Sequence, residues 1–219
     1  MDDIQRYLPV LSSCVLFSGL KTPEILWLNR CCHGNIRRYG KGEFLFHAGE
    51  RYRDIGIVLE GTVDAVEYTA DGEELPAGRQ QSGGVFGDLL AAAGEASPVS
   101  LRTPEGAVVL LLSVDAVLGG CQRQCPCHLH LRRNLLQETS SKFWELRRQA
   151  EILRTPRLRQ KVLLFLRRQP QKDGYITLPY SREEMARLLN VDRTALSREL
   201  SRMKDEKIID YHLNSFRIL

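Results

Sequence analysis

The residues best suited to chemistry in this 219-residue chain lie near its C-terminus. At 100° per residue, one side of a helix beginning at Arg193 collects polar and basic side chains. These are Arg193, Thr194, Ser197, Arg198, Ser201 and Lys204. Arginine donates two hydrogen bonds to guanine and serine pairs with several bases, so this face suits a DNA major groove. The N-terminal residues of such a helix usually make the base contacts. We therefore expect Arg193, Ser197 and Arg198 to contribute more to base contacts than Lys204.

Helix-end signals surround this face and predict a helix-turn-helix between Ser181 and Glu206. Ser181 and Glu184 form a capping box that starts the first helix. Asn190 tolerates the left-handed conformation of a short turn, and Asp192 can cap the second helix. We also assign Ser181 and Arg182 to the DNA-binding set. The alternative is a plain helical hairpin with a solvated arginine face.

The last twelve residues predict a β-hairpin after the second helix. Ile208 to Tyr211 and Ser215 to Leu219 form two apolar-rich segments, separated by a polar turn at His212-Leu213-Asn214. Such a terminal hairpin is the wing of a winged helix, and its tip could touch DNA phosphates.

Six cysteines offer a second kind of chemistry. They are Cys14, Cys31, Cys32, Cys121, Cys125 and Cys127. In a cytosolic chain, thiols or metal ligands are expected rather than disulfides. Cys121, Cys125, Cys127 and His128 could bind zinc or haem or act as a thiol switch. The alternative is cysteines that simply pack between neighbouring elements, so the sequence assigns no cofactor.

Enzyme motifs are missing from the sequence. No glycine-rich phosphate loop follows a strand and opens a helix, and neither Gly-x-Ser-x-Gly nor His-Glu-x-x-His occurs. The five histidines are scattered and have no evident acidic partner. We therefore predict that the protein is not an enzyme. A regulatory binding module without DNA contact remains a further alternative.

Charge is divided unevenly along the chain. Residues 121–219 contain 21 Lys and Arg against 11 Asp and Glu, a net charge of +10, whereas residues 1–120 have a net charge of −6. This asymmetry indicates either a polyanionic partner for the basic part or a solvated, arginine-rich surface. No apolar run approaches the roughly 20 residues of a membrane span, and the acidic start lacks the features of a secretory signal. We expect a cytoplasmic protein with no membrane partner.

The elements that must position these residues change in character along the chain. Between Tyr39 and Ser113, short apolar stretches alternate with glycines, as in Ile55–Leu59, Val63–Tyr68 and Val108–Leu112. Asp71-Gly72 is a hairpin signal. Many short strands at this spacing predict a β-roll or jelly roll. With the helices that follow, the fold class is α+β.

A long helix is predicted from Pro126 to Arg154. Its heptad positions bring together an apolar seam, interrupted by Arg132 and Thr139. The apolar seam consists of Leu129, Leu136, Phe143, Leu146, Ala150 and Leu153. A helix of this length is long for a globular domain, so we interpret it as a dimerisation helix. The alternative is an ordinary amphipathic helix packed on its own domain.

Thr155-Pro156 predicts the start of a new helix and of a second domain. The predicted organisation is a sensing β-roll with N-terminal helices at 1–120, a dimerisation helix at 121–154 and a winged helix-turn-helix at 155–219.

The chain resembles the CRP/FNR superfamily of transcriptional regulators in the order of all three parts. The segments that match best are Gly42–Gly49, Gly56–Val63, Phe86–Leu89 and Asn190–Met203. The resemblance implies a homodimer that binds double-stranded DNA at a near-palindromic operator and works with RNA polymerase. It also places Arg193, Ser197 and Arg198 at base-contacting positions. Since the best-known members carry Glu at the position of Thr194, their half-site sequence does not transfer.

The resemblance leaves the effector open. Members that bind cyclic nucleotides have a Gly-Glu pair for the ribose, followed about ten residues later by an arginine for the phosphate. Gly87-Asp88 could serve the ribose, but residues 96–100 contain no arginine. A buried phosphate without a cationic partner binds poorly, so we predict that cyclic AMP is not the effector. The candidate pocket for an unknown small molecule comprises Gly87, Asp88, Leu89, Ser97, Pro98 and Val99. The iron–sulfur members use a different cysteine spacing from Cys14, Cys31 and Cys32.

Overall fold

The computed structural model describes residues 3–69, 71–119, 121, 125–179 and 181–219. Its internal contacts divide the chain into two compact units, Met1–Ser141 and Lys142–Leu219. The start of the chain at residues 1 and 2, and the predicted domain boundary at residue 120, lie outside the described residues.

A curled antiparallel sheet of seven strands forms the centre of the first unit. The strands are β1 (Asn35–Tyr39), β2 (Phe44–Phe46), β3 (Asp54–Tyr68), β4 (Glu74–Gln81), β5 (Val85–Phe86), β6 (Ser100–Arg102) and β7 (Ala107–Ser113). The Gly72 N–H donates to the Thr69 carbonyl at 2.9 Å in the turn between β3 and β4, which confirms the hairpin predicted at Asp71-Gly72. The predicted α+β class with an N-terminal β-roll is confirmed.

The two strands expected at Ile55–Leu59 and Val63–Tyr68 are one strand, β3, and that expectation is wrong. Gly61 keeps the strand continuous, because its φ of +79° lies in the left-handed region. A Cβ at Gly61 would also lie 2.2 Å from the carbonyl oxygen of Gly106. On the N-terminal side of Gly61, β3 pairs with β5 and β7. On the C-terminal side it pairs with β4 and β6, so one strand contributes to both halves of the roll.

Helices cover one side of the roll. They are α1 (Asp3–Arg6), α2 (Leu8–Ser13), α3 (Thr22–Cys31), α4 (Asp88–Ala93), α5 (Val114–Gly119) and α6 (Pro126–Arg154), with a 3-10 turn at Val15–Phe17. The bounds predicted for the long helix, Pro126 to Arg154, are confirmed. Leu131 and Leu135 of α6 pack into the apolar core of the first unit, and the Asn134 amide donates to the carbonyls of Leu16 and Ser18, each at 2.9 Å.

The second unit contains the last part of α6 and a small mixed domain. Its elements are α7 (Leu158–Arg167), β8 (Ile176–Thr177), α8 (Arg182–Leu189), α9 (Arg193–Asp205), β9 (Ile209–His212) and β10 (Ser215–Ile218). The strands form a sheet in the order β8-β10-β9, and the hairpin of β9 and β10 confirms the predicted wing. The core comprises Val162, Leu166, Leu196, Leu200 and Phe216 with their neighbours.

The helix start predicted at Thr155-Pro156 is wrong. The Thr155 hydroxyl donates back to the Glu151 carbonyl at 2.8 Å, so it completes the end of α6 and leaves α7 to begin at Leu158. The division at Ser141 and Lys142 falls inside α6, which therefore contributes to both units. Among the described residues, no helix is both long and apolar enough to cross a membrane.

Candidate functional site

The ends of α8 and α9 are fixed by the capping groups that the sequence predicts. The Ser181 hydroxyl accepts from the Glu184 N–H at 3.2 Å, and the Glu184 carboxylate accepts from the Ser181 N–H at 2.7 Å. Hydrogen bonding of the Ser181 backbone N–H, followed by that of its side chain, to the Glu184 carboxylate lowers the pKa of Glu184. Asn190 adopts the left-handed conformation with a φ of +51°, and the Asp192 carboxylate accepts from the Ala195 N–H at 2.8 Å. The turn between the helices is therefore defined at both ends.

The outer face of α9 carries the predicted DNA-contacting side chains. All six of them are exposed, while Leu196, Leu200 and Met203 on the opposite side are fully buried. Within the described part of the chain, Arg193 and Arg198 have neither an ion pair nor a side-chain hydrogen bond. Two guanidinium groups on one rigid, solvated face are available to an external polyanion.

Ion pairs and a buried lysine hold α9 and α8 in place. Arg159 of α7 donates to Glu199 at 2.7 Å and to Glu206 at 2.5 and 2.9 Å, so it joins α7 to the middle and the C-terminal end of α9. These hydrogen bonds raise the pKa of Arg159 and lower that of Glu206. The buried ammonium of Lys161 donates to the Leu189 carbonyl at 3.0 Å, where the dipole of α8 favours a positive charge.

Arg182 and Lys204, both assigned to the DNA-binding set, have partners in the wing. Arg182 donates to the Leu213 carbonyl at 2.7 Å and lies 4.9 Å from the ring centre of Tyr211 and 4.7 Å from that of Phe216. Lys204 forms an ion pair with Asp210 at 2.8 Å. A loss of DNA binding on replacing either residue would therefore report on the wing's position as well as on any phosphate contact.

The effector candidates fall on two segments of the roll. Gly87 has a φ of +73°, and a Cβ there would lie 2.5 Å from the ring of Tyr52, so only glycine fits without displacement. Asp88 follows it, buried, at the start of α4. In the other segment, the hydroxyl of buried Ser97 donates to the Val99 carbonyl at 2.6 Å. Leu89 and Pro98 are exposed.

Two arginines, one on β4 and one on β6, are paired with carboxylates. Asp64 of β3 lies opposite Arg79 of β4 and Arg102 of β6. Arg79 donates two hydrogen bonds to Asp64, at 2.6 and 2.7 Å, and these raise the pKa of Arg79. Arg102 forms an ion pair with Glu74. A phosphate that bound Arg79 or Arg102 would have to compete with a carboxylate for that arginine.

The apolar seam of α6 points away from the core that the same helix helps to build. Cys127, Leu131 and Leu135 are buried against the first unit. The leucines and the phenylalanine of the seam are instead 48–67% exposed, and Ala150 is half-buried. The helix thus has two apolar faces, and packing within one chain uses only one of them. An exposed apolar stripe of this kind marks an interaction surface.

The predicted metal candidates come together around one imidazole. The Sγ of Cys125 lies 2.9 Å from Nδ1 of His128 and 3.0 Å from Sγ of Cys121, and Cys127 also has its Sγ near this pair. All six cysteines lie in the described part of the chain, and none is in a disulfide. Burial, followed by the positive charge of Arg132, lowers the pKa of His128, so the ring is neutral near pH 7.

Two further thiols join this group that the sequence does not place there. Cys31 ends α3 and its Sγ lies within 4.8 Å of the ligand atoms of Cys121 and His128, while the Sγ of Cys32 is 3.7 Å from Nε2 of His128. We call these five cysteines and His128 the thiol cluster. Burial raises the pKa of Cys32 to about 12 and that of Cys127 to about 11. The only sequence signal was that these two cysteines are adjacent.

Comparison with known proteins identifies both units. Residues 36–124 match the family model of the cyclic nucleotide-binding domain, and residues 160–219 match that of the Crp-like helix-turn-helix domain. Together the two matches span about two thirds of the chain.

Known proteins are similar to this chain over about two thirds of its length or more. The chain is 23% identical over 195 residues to the cAMP-activated global transcriptional regulator CRP of Pasteurella multocida. The aligned region covers 87% of this chain and 91% of the relative. The fold is similar to that of the c-di-GMP-responsive global regulator CLP of Xanthomonas campestris, with a TM-score of 0.57, 20% identity and coverage of 90% and 99% of the two chains. The sensor domain of the regulator DNR of Pseudomonas aeruginosa matches 66% of this chain and 93% of its own, with a TM-score of 0.54 and 18% identity.

The matched families are transcription regulators, which confirms the prediction that the chain is not an enzyme. A cyclic nucleotide-binding fold, a long helix and a Crp-like helix-turn-helix follow one another in the order that the sequence predicts. The protein is a DNA-binding transcriptional regulator and belongs to the CRP/FNR family.

Proposed function

We propose that this regulator binds a near-palindromic DNA operator as a homodimer and contacts bases through Arg193, Ser197 and Arg198. The observation that carries the proposal is the exposed face of α9, on which both arginines lack a partner among the described residues. Thr194 and Ser201 lie on the same face and complete the base-contacting set. Ser181, Arg182 and Lys204 would contact the phosphate backbone, which positions a protein without specifying sequence.

The homodimer would form along the apolar seam. Two seams packed against each other remove from water the leucine and phenylalanine side chains that a single chain exposes. A two-fold axis along α6 would present two winged helices to successive major grooves, about 34–36 Å apart. In this division, residues 1–120 sense a signal, 121–154 dimerise and 155–219 bind DNA. RNA polymerase is the proposed further partner, and the cytoplasm the proposed location.

Selection of binding sites from random double-stranded DNA tests this function. We expect the enriched sequences to contain two inverted half-sites whose centres are about one helical turn, or 10–10.5 base pairs, apart. A single half-site, or enrichment of direct repeats, would contradict the two-fold arrangement. The same selection at raised salt removes sequences held by phosphate contacts alone.

The roll would sense a small molecule other than cyclic AMP. Residues 96–100 contain no arginine, the hydroxyl of Ser97 is used within its own turn, and Arg79 and Arg102 are paired with carboxylates. Relatives described as cAMP-activated and as c-di-GMP-responsive have the same fold, so the fold by itself does not specify the effector. The proposed pocket comprises Gly87, Asp88, Leu89, Ser97, Pro98 and Val99.

Calorimetric titration with cyclic AMP should give no measurable heat of binding at micromolar ligand. The physical reason is that a cyclic phosphate would leave water without gaining a cationic partner. Titration of the same preparation with its selected operator serves as the control for active protein. A dissociation constant in the micromolar range or below would refute this prediction.

A second candidate function is favoured by the thiol cluster. A haem-, metal- or thiol-based sensor using Cys121, Cys125, Cys127 and His128 would supply the signal in place of, or beside, a ligand in the roll. The short distances from Cys125 to Cys121 and to His128 support this candidate.

A further inference from the structure

Sulfur and nitrogen atoms from three separate segments of the first unit lie close together. Cys31 is the last residue of α3, Cys121 follows α5, and Cys125 and His128 lie just before and within the first turn of α6. The ligand atoms of Cys31, Cys121 and His128 lie within 4.8 Å of one another. Cys125 lies 3.0 Å from Cys121 and 2.9 Å from His128, measured between Sγ atoms and from Sγ to Nδ1.

These distances fit a single metal ion. Tetrahedral zinc has Zn–S and Zn–N bonds of about 2.3 and 2.0–2.1 Å, which places its ligand atoms roughly 3.3–3.8 Å apart. The separations of 3.0 and 2.9 Å that Cys125 makes with Cys121 and His128 are slightly shorter than this range, and the atoms of Cys31, Cys121 and His128 lie within 4.8 Å of one another. Side-chain adjustment on binding would bring the four ligands to tetrahedral spacing. An iron–sulfur cluster would require more separation, because its cysteines bind different iron atoms. Soft thiolates combined with imidazole select zinc over the hard cations calcium and magnesium.

Three thiols of the cluster are more accessible than the other two. Cys31, Cys121 and Cys125 are half-buried, so an ion can reach them from solvent. They lie at the end of α3, after α5 and just before α6, respectively. Cys32 and Cys127 are 0% and 7% exposed and belong to the apolar core. A metal site needs an entry path as well as ligands, which favours the first three thiols.

We propose that Cys31, Cys121, Cys125 and His128 bind one Zn²⁺ ion per chain, with three thiolates and Nδ1 of the imidazole as ligands. Binding replaces three S–H bonds by three Zn–S bonds and releases the three protons to solvent, with no change of oxidation state. Nε2 of His128 then carries the ring hydrogen and points at the Cys32 sulfur 3.7 Å away, which orients the ring from behind. The ion would join the end of α3 to the start of α6. The site does not depend on DNA binding.

Metal analysis of the purified full-length protein, grown with zinc and without an affinity tag that binds metal, tests the proposal. We expect one zinc per chain in the native protein and in Cys14→Ala, whose thiol lies outside the cluster. Cys31→Ala, Cys121→Ala and Cys125→Ala should lose most of the metal. Cys127→Ala should retain it. A chelator should lower the Tm of the native protein and leave that of Cys125→Ala unchanged.

Cobalt substitution keeps the test valid if a variant fails to fold. Co²⁺ added to the metal-free native protein should give visible d–d bands of a tetrahedral ion and thiolate-to-cobalt charge-transfer absorption in the near ultraviolet. A Soret band, or iron with acid-labile sulfide, in the purified protein would overturn the proposal in favour of haem or an iron–sulfur cluster. Absence of metal with no cobalt spectrum would also overturn it. Metal loss in Cys127→Ala but not in Cys31→Ala would refute the assignment of Cys31.

Discussion

Replacing Arg198 with alanine weakens binding to the selected operator by about 1–3 kcal/mol, or roughly 5- to 150-fold in the dissociation constant. The expectation follows from the position of Arg198 on the outer face of α9, where its side chain is exposed and has no ion pair within the described chain. A guanidinium that donates two hydrogen bonds to a guanine loses both on truncation. Fluorescence anisotropy with the selected operator measures the effect.

Arg167 provides a matched control for this prediction. It is an exposed arginine at the end of α7, in the same domain but outside the helix-turn-helix, so Arg167→Ala removes the same charge. We expect this variant to bind the operator with nearly native affinity.

Salt dependence separates a base contact from a phosphate contact. If Arg198 contacts a base, the variant keeps the native slope of log affinity against log salt and loses discrimination at one operator position. A slope reduced by about one unit, with unchanged discrimination, would reassign Arg198 to the phosphate backbone. Operator affinity that is unchanged in Arg198→Ala would remove it from the interface.

The second large effect is expected from the apolar seam. Replacing Leu136 and Phe143 together by aspartate should make the protein monomeric at micromolar concentration. Burial of one such side chain contributes about 1.5–3 kcal/mol, each occurs twice in a dimer, and an unpaired carboxylate in an apolar interface adds a further cost. Since the two side chains are 67% and 58% exposed in the single chain, the fold itself should persist. Sedimentation equilibrium measures the change of mass.

Operator binding connects the dimer to function. The monomeric variant should lose more than about 100-fold in affinity for the full palindrome and little for one half-site, because two linked half-sites no longer act together. Gln137→Asp places the same side chain at an exposed position of the same helix, outside the seam, and should remain dimeric. A monomeric Leu136→Asp, Phe143→Asp protein with native affinity for the palindrome would show that the seam is not needed for DNA binding.

Local signals in the sequence determined most of the DNA-binding half. The capping box of Ser181 and Glu184, the left-handed Asn190 and the cap at Asp192 act within three or four residues of one another. The heptad pattern of α6 is equally local, which explains why its bounds were predicted correctly. The exposed face of α9 was predicted for the same reason, since residues three and four positions apart lie on one side of any helix.

Local patterns failed at one strand continuation and at one helix boundary. The sequence around Gly61 indicates a break, but strands on either side accept β3 as one bent strand. Thr155 has the side chain of a helix cap, yet its hydroxyl finds the carbonyl of Glu151 in the preceding helix. At Gly61, partners from distant strands decided the conformation. At Thr155 both alternatives were local, and the hydroxyl bonds to the preceding turn instead of capping the next helix.

The sequence alone therefore determined the helix-turn-helix, the wing, the long helix and its seam, and the group of Cys121, Cys125, Cys127 and His128. Only the tertiary structure brought Cys31 and Cys32 to that group, since the Cys32 sulfur and the His128 ring are 96 residues apart in the chain. It also paired Arg79 and Arg102 with carboxylates, and Arg182 and Lys204 with the wing. The physical reason is range: caps and helical faces depend on neighbours within about one turn, whereas these contacts exist only after the topology has joined distant segments.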